Sequence, residues 1–303
     1  MPELADRLRD IQAGDRRALA RMLTDLEDGT LAGPDLGSVF GAGHDAHLVG
    51  VTGPPGSGKS TLVNALIRQW RGEGRRVGVL AVDPSSPVTG GAIMGDRIRM
   101  MEHAGDEGVF VRSMASRGAL GGLAAATWLT AAALDAAGYD PVVIETVGAG
   151  QSEVDIATLA ETTVVVEAPD MGDEVQAIKA GLLEVADVIA VNKGDRPGAD
   201  RTARQLKAML STAGGRVARP VPPILVTTAT TGEGVEVLGA AIDAHRAART
   251  PERQRAQAAE LVRRALANRA IARASTSASW DDAVAAVADR RLDPFAAAEA
   301  LLG

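Results

Sequence analysis

The sequence predicts an α/β domain with a central, mostly parallel sheet that is flanked by helices. Between residues 47 and 246, short runs rich in Val and Ile alternate with longer segments rich in Ala and Leu. Several of the short runs are continuously apolar, as expected for strands of a parallel sheet that is covered on both faces. A glycine-rich stretch, residues 53–61, lies between the first of these runs and a segment, 62–67, that reads as a helix.

Seven runs are predicted as strands. They are residues 47–52, 76–82, 108–112, 141–145, 162–167, 187–191 and 223–227. Five polar or acidic loops follow these strands, and the carboxyl ends of parallel strands are where such sheets bind ligands. We therefore expect these loops to converge on the edge that carries the glycine-rich stretch.

Helical extensions are predicted at both ends of the chain, which divides it into residues 1–46, 47–246 and 247–303. Within the first region, residues 3–28 read as two short helices, and Asp15 is a plausible N-cap for the second. Residues 29–46 are rich in Gly and Asp and are predicted as a connector.

The composition restricts the possible partners. A net charge of −7 argues against general nucleic-acid binding, which favours a basic surface. The absence of cysteine excludes disulfides and cysteine-ligated metals, and the four histidines are scattered without the spacing of a metal site. Because neither a signal peptide nor a transmembrane run is recognisable, we expect a cytoplasmic protein without a membrane partner.

The glycine-rich stretch has the Walker A pattern G-x-x-x-x-G-K-[ST] in its strand–loop–helix setting. It consists of Gly53, Pro54, Pro55, Gly56, Ser57, Gly58, Lys59, Ser60 and Thr61. Glycines let backbone N–H groups curl around phosphate oxygens, and the helix adds the positive end of its dipole. Lys59 is expected to reach the β- and γ-phosphates, and the Ser60 hydroxyl to coordinate Mg²⁺. The predicted fold is therefore a P-loop NTPase.

Asn192, Lys193 and Asp195 stand in the N-K-x-D pattern of GTPases, directly after a predicted strand. A carboxylate at the last position accepts hydrogen bonds from the N1–H and the 2-amino group of guanine. Adenine lacks this pair of donors, so the acceptor would be left unpaired. Thr228 and Ala229 stand where a backbone contact to the guanine oxygen is expected. The predicted ligands are GTP and GDP rather than ATP.

Asp83, Asp96 and Glu145 are candidates for binding Mg²⁺ and its water shell, because Mg²⁺ prefers carboxylates and retained waters. The alternatives are a turn former for Asp83, a helix cap for Asp96 and a solvent-facing carboxylate for Glu145. Glu145 occupies the step where many GTPases have D-x-x-G, so it is expected to hold the water of the metal or to orient the attacking water. The Gly148 N–H is expected to sense the γ-phosphate. No glutamine directly follows Gly148, and slow intrinsic hydrolysis is therefore predicted.

Together these residues resemble the ArgK/MeaB family of P-loop GTPases, which serve adenosylcobalamin-dependent acyl-CoA mutases. The blocks that carry the resemblance are residues 53–61, 82–87, 95–100, 116–118 with 120–122, and 145–153. The last block is the most diagnostic, because Glu145 replaces the common Asp and an unusual Gln-Ser-Glu tail follows.

The resemblance implies that GTP binding and hydrolysis gate the delivery of the cobalamin cofactor to a mutase of the methylmalonyl-CoA mutase type and protect that mutase. It implies a third mobile loop, residues 168–179, that signals the nucleotide state. It also implies that Lys59 and Ser60 hold phosphate and Mg²⁺, with the three carboxylates in the metal and water network. Most family members look like homodimers, so residues 247–303 are the expected dimerisation region.

The C-terminal region leaves two interpretations open. Residues 246–273 carry eight Arg against two Glu, which fits either a solvated basic helix or a dimerisation or mutase-binding arm. Residues 280–302 are expected to form two small helices that pack on the dimer or on the core.

Three other functions are alternatives to that of a mutase chaperone. A nickel-delivery GTPase would need a Cys/His metal site, which the composition disfavours. A small-molecule kinase using the same P-loop would need a base beside the γ-phosphate, such as Glu145. A GTP-dependent scaffold would make hydrolysis incidental.

Overall fold

The computed structural model describes residues 2–31, 34–83, 102–103, 105–115, 122–146, 159–169, 183–213 and 221–303. Its centre is a seven-stranded sheet in which all pairings between these described strands are parallel. The strands are β1 (Leu48–Thr52), β2 (Val77–Asp83), β3 (Val109–Ala115), β4 (Val142–Thr146), β5 (Thr162–Glu167), β6 (Val188–Val191) and β7 (Ile224–Val226). All seven predicted strands are confirmed. Strand β3 extends beyond the predicted run of residues 108–112, because it pairs with β2 as far as Ala115.

The strand order β3-β2-β4-β1-β5-β6-β7 makes β1 the centre of the sheet. Val51 of β1 lies beside Glu145 of β4 on one side and beside Val164 of β5 on the other. Strands β2, β3 and β4 lie on one side of β1, and strands β5, β6 and β7 lie on the other. Open α/β sheets bind ligands at such a switch point, outside the carboxyl ends of the strands. The glycine-rich stretch directly follows β1 and therefore lies at this point.

Helices cover both faces of the sheet. They are α1 (Pro2–Gln12), α2 (Arg16–Glu27), α3 (Pro34–Gly41), α4 (Lys59–Gly72), α5 (Gly122–Ala136), α6 (Ala199–Ala213), α7 (Val235–Ala247), α8 (Pro251–Ser275), α9 (Trp280–Ala288) and α10 (Pro294–Leu302). Side chains of α4 and α7 share one core cluster with β1, β4, β5 and β6, and Trp70 and Leu66 are fully buried there. Helix α5 and the N-terminal helices pack on the opposite face. This coverage explains why β4 and β5 are buried along their whole length.

The N-terminal helices form as the sequence predicts. Asp15 caps α2, because its Oδ1 accepts hydrogen bonds from the N–H groups of Arg17 and Ala18 at 2.8 and 3.0 Å. Glu27 at the end of α2 receives two hydrogen bonds from Arg112 of β3, at 2.9 and 2.8 Å. This bidentate pair fastens the N-terminal extension to the edge strand.

The prediction of a connector for residues 29–46 is wrong in part, because α3 lies within it. Pro34 suits the first turn of a helix, and Val39 is buried in the core cluster on α5. The ring of Phe40 lies 5.3 Å from that of Trp128 of α5. Tertiary contact with α5 thus stabilises a segment whose glycine content favours a loop.

The C-terminal extension is helical, as predicted, and residues 280–302 contain two small helices. Helices α8 and α10 leave large apolar side chains in solvent, since Leu266 of α8 is 64% and Phe295 of α10 is 83% exposed. Phe295, which the sequence predicts to pack on the core or the dimer, therefore does not pack on the core of its own chain. No helix in the described ranges is both long and apolar enough to cross a bilayer.

Candidate functional site

The loop between β1 and α4 folds into a form that only glycine accepts at two of its positions. Gly53 has φ +142° and Gly58 has φ +91°. A Cβ on Gly53 would lie 2.2 Å from the carbonyl oxygen of Val166 in β5, and one on Gly58 would lie 2.4 Å from Asn192 Nδ2. The missing side chains allow the loop to lie directly against β5 and against the Asn192 amide.

Lys59 is the first residue of α4, and its side chain bends back across this loop. The Nζ atom donates hydrogen bonds to the carbonyl oxygens of Gly53 at 2.5 Å and Pro54 at 3.1 Å, and the residue is only 7% exposed. A buried ammonium group inside a glycine-rich loop at a helix N-terminus suits a phosphate ligand, because both charge and dipole favour an anion there.

Ser60 and Glu145 are brought together across 85 residues of sequence. Ser60 Oγ donates a hydrogen bond of 2.7 Å to Glu145 Oε1, and Glu145 is 1% exposed. The alternative of a solvent-facing carboxylate is therefore wrong for Glu145. A hydroxyl oxygen and a carboxylate oxygen at this distance fit a hard cation such as Mg²⁺, which keeps much of its water shell. Within the described ranges, no group of three or more His, Cys, Asp or Glu could hold a metal by itself.

The other predicted metal residues are only partly described. Asp83 is the last residue of β2, whose Val82 lies beside Thr146 of β4, so its backbone reaches the same edge of the sheet. The Asp83 side chain, Asp96 and Gly148 lie outside the described residues, as does the predicted third loop beyond Pro169.

Asn192 connects the glycine-rich loop to the end of β7. Its Nδ2 donates to the carbonyl oxygen of Ser57 at 3.0 Å, and its Oδ1 accepts from Ala229 N at 3.1 Å and from Thr227 Oγ1 at 3.3 Å. Asn192 is 2% exposed. All of these contacts are made within the protein, so Asn192 positions the phosphate loop and the Thr228–Ala229 turn relative to each other.

Lys193 and Asp195 lie on the solvent side of this turn. Lys193 adopts φ +61°, and its Nζ donates a hydrogen bond of 2.6 Å to the carbonyl oxygen of Gly56. Its side chain thereby spans the gap between the two loops. Asp195 is exposed and forms no side-chain hydrogen bond to the described part of the chain. Its carboxylate is accessible to a ligand that offers two N–H donors, as guanine does.

Comparison with known proteins identifies the family. A family model described as "Methylmalonyl Co-A mutase-associated GTPase MeaB" matches residues 19–279. A protein of Pyrococcus horikoshii that is named as a GTPase is 45% identical over 99% of this chain and 96% of its own. The chain belongs to the MeaB family. Its relatives are GTPases by name, and its fold is that of a P-loop GTPase, so the resemblance seen in the sequence is confirmed and the protein is a GTPase.

Two further proteins are similar to this chain. A crystal structure described as that of a LAO/AO transport system kinase superposes with a TM-score of 0.72, at 28% identity, over 99% of this chain and 97% of that one. The mouse mitochondrial protein named methylmalonic aciduria type A homolog is 42% identical over 48% of this chain and 35% of its own. The first supports the P-loop architecture over the whole chain.

Two polar features of this MeaB-family site lie outside the motifs that the sequence analysis names. Thr146 Oγ1 donates a hydrogen bond of 3.2 Å to Thr52 Oγ1, which joins the carboxyl ends of β4 and β1. Glu167 ends β5 with 1% exposure, and its carbonyl oxygen accepts a hydrogen bond of 2.7 Å from Asn192 N. The signal for Glu167 is present in the sequence, because it ends an apolar strand with a carboxylate as Glu145 does.

Proposed function

We propose that this GTPase is a chaperone that gates adenosylcobalamin delivery to, and protects, a cobalamin-dependent acyl-CoA mutase of the methylmalonyl-CoA mutase type. The observation that carries the proposal is the Ser60–Glu145 hydrogen bond, formed at the strand-end block that distinguishes this family in the sequence. The family description names a mutase-associated GTPase, and the mouse relative is named after methylmalonic aciduria. Both names support a mutase as the partner.

Two loops would bind GTP, one at its phosphates and the other at its guanine base. Lys59 would exchange the carbonyl oxygens of Gly53 and Pro54 for phosphate oxygens, which carry the negative charge that its ammonium group needs. Asp195 would accept the guanine N–H donors, while Asn192 keeps its loop at the correct distance from the phosphate loop.

Hydrolysis breaks the bond between the γ-phosphorus and the β–γ bridging oxygen and adds water to give GDP and phosphate. Ser60 and Glu145 would hold Mg²⁺, which when bound neutralises charge on the phosphates. The hydrogen bond from Ser60 would fix Glu145 Oε1 beside that position. We expect slow turnover by the isolated protein and stimulation by the mutase, as occurs when a partner completes a catalytic site.

Residues 47–246 would bind and hydrolyse GTP, and residues 247–303 would mediate self-association. Apolar side chains of α8, α9 and α10 that are at least half exposed support a homodimer formed through this region. They are Val262, Leu266, Ile271, Val284, Phe295 and Leu302. We expect this protein to be cytoplasmic, as its mutase partner would be.

Titration of the purified protein with candidate mutases tests the proposal. We expect one mutase to bind and to raise the rate of GTP hydrolysis, and Lys59→Ala to abolish that rate while leaving the fold intact. Neither binding nor a rate change with any cobalamin-dependent acyl-CoA mutase would remove the chaperone role.

A small-molecule kinase is a second candidate, because the crystal structure that superposes on this chain is described as that of a transport system kinase. GTP labelled at the γ-phosphate separates the two, since the label appears as free phosphate for a GTPase and on an acceptor for a kinase. A GTP-dependent scaffold would be favoured if Glu145→Gln, with hydrolysis lost, still protected the mutase.

A further inference from the structure

The hydroxyl group of Ser57 is a buried polar group in the middle of the phosphate loop. Ser57 is fully buried. Among residues 53–61, all of which the structure describes, its Oγ is the one buried side-chain oxygen or nitrogen without a hydrogen-bond partner. Buried polar groups in folded proteins nearly always have a partner, so this hydroxyl needs a physical explanation.

Backbone hydrogen bonds fix Ser57 on both sides. Its N–H donates to the carbonyl oxygen of Pro54 at 3.2 Å, and Gly56 has φ +79°, as the third residue of a type II turn does. Its carbonyl oxygen accepts the 3.0 Å hydrogen bond from Asn192 Nδ2. Because the backbone is held, the hydroxyl can change its position only by rotation about the Cα–Cβ bond.

The carbonyl oxygen of Pro54 is the acceptor that suits this hydroxyl. A serine hydroxyl can donate to the carbonyl oxygen three residues earlier in the chain, and the Ser57 N–H already bonds that oxygen. The same oxygen accepts a hydrogen bond of 3.1 Å from Lys59 Nζ. A carbonyl oxygen has two lone pairs, so the Ser57 N–H and the Lys59 ammonium group together use its capacity.

Binding of phosphate would free this acceptor. In the proposed GTP complex, Lys59 exchanges the carbonyl oxygens of Gly53 and Pro54 for phosphate oxygens. The Pro54 oxygen then loses one of its two donors. The Ser57 hydroxyl, which is held on the same turn and has no other partner in the described part of the chain, can take the place of the Lys59 ammonium group.

We propose that Ser57 is a positioning residue whose hydroxyl donates to the Pro54 carbonyl oxygen when Lys59 turns to the phosphates of the nucleotide. The hydroxyl is unsatisfied while Lys59 bonds Pro54 and satisfied once Lys59 bonds phosphate. It therefore favours the nucleotide-bound loop, because a group shifts an equilibrium by the difference in its interactions between the two states. This inference rests on the proposed function, because it takes Lys59 as the phosphate ligand.

Ser57→Ala should change the stability of the protein and its affinity for nucleotide in opposite senses. In the full chain without nucleotide, Tm should rise by about 2 °C or more, because a buried unsatisfied group is removed. The dissociation constants for GDP and for a non-hydrolysable GTP analogue, measured with fluorescent nucleotides, should both rise about three- to tenfold, because the bound loop loses a hydrogen bond. A hydroxyl that only fills space would not raise Tm and weaken binding together.

Two further variants are matched controls. Ser57→Cys keeps a weaker donor at the same position, so its dissociation constants should lie between those of the unaltered protein and of Ser57→Ala. Thr130 of α5 is also fully buried, but its Oγ1 already donates to the Ala126 carbonyl oxygen at 2.8 Å. Thr130→Ala should therefore lower Tm and leave the affinity for nucleotide constant.

Replacement of Lys59 tests the exchange of donors without any nucleotide. Lys59→Ala removes the competing ammonium group, so the Ser57 hydroxyl can bond Pro54 in the free protein. Ser57→Ala should then lower Tm in the Lys59→Ala background, whereas it raises Tm in the unaltered background.

The same effect of Ser57→Ala on Tm in both backgrounds overturns the role of Ser57 alone. Dissociation constants that stay unchanged in Ser57→Ala, while the unaltered protein binds guanine nucleotides, do so as well. Failure of the unaltered protein to bind guanine nucleotides overturns the proposed function and the role of Ser57 together.

Discussion

Replacing Asn192 by Ala should separate positioning of the nucleotide loops from recognition of the base. The substitution removes the amide that bonds Ser57, Thr227 and Ala229. Thr227 and Ala229 are 1% and 3% exposed, so water cannot replace the lost acceptor without rearrangement. Each buried group left unsatisfied costs about 1–3 kcal/mol, so the two donors that lose their acceptor, Thr227 Oγ1 and Ala229 N, give a loss of roughly 2–6 kcal/mol of unfolding free energy.

Thermal and urea unfolding measure this loss. Each kcal/mol lowers Tm by about 2–4 °C in a domain of this size, so a decrease of roughly 4–24 °C is expected. Affinity for GDP and for ADP should fall together, because the phosphate loop loses its support from the guanine loop. Asp195→Ala is the matched comparison: its side chain is exposed, so stability should be unchanged while discrimination of GDP over ADP is lost. Asn192 does not support the phosphate loop if the Asn192→Ala variant unfolds like the unaltered protein or loses only its preference for guanine nucleotides.

Three other outcomes are expected. In Glu145→Gln, the new side chain can still accept the Ser60 hydrogen bond, but it lacks the negative charge that binds Mg²⁺. The rate of single-turnover GTP hydrolysis should therefore fall ~10–100-fold with little change in Tm. An unchanged rate would exclude Glu145 from the metal network. Burial raises the pKa of Glu161 from 4.5 to about 7, so its protonated form stabilises the fold below pH 4.5 and this contribution is lost as the pH rises through 7. Glu161→Gln should therefore raise the unfolding free energy by roughly 1–3 kcal/mol at pH 8 and hardly change it at pH 4.5. Equal changes in unfolding free energy at pH 4.5 and pH 8 would contradict the raised pKa of Glu161. Phe295→Asp should weaken self-association in sedimentation experiments without lowering Tm, because the ring is 83% exposed; an unaltered dimer would mean that this surface is not the interface.

Local patterns in the sequence predict the elements and the chemistry of single residues. Short runs rich in Val and Ile predict all seven strands, and several of these runs are continuously apolar because strands covered on both faces need no polar positions. The Walker A spacing predicts Lys59 and Ser60, and a carboxylate at the end of an apolar strand predicts Glu145 at the nucleotide edge. Glu167 has the same pattern, but it lies outside the Walker A and N-K-x-D motifs. The composition of residues 34–41 does not predict helix α3, because its helical form depends on contact with α5.

The pairing of side chains was decided by the tertiary structure. Ser60 and Glu145 are 85 residues apart, and Asn192 and Ser57 are 135 apart, so no spacing rule relates them. Their contacts depend on the strand order, which places β4 and β5 on either side of β1. The hydrogen bonds from Arg253 to Asp187 and from Gln257 to Leu159 likewise form only because α8 folds back to the amino edge of the sheet. Sequence alone determined what kind of ligand this protein binds, through short motifs whose chemistry is local. The structure decided how the loops that hold the ligand are connected to one another, because hydrogen bonds and ion pairs depend on distances that only the folded chain sets.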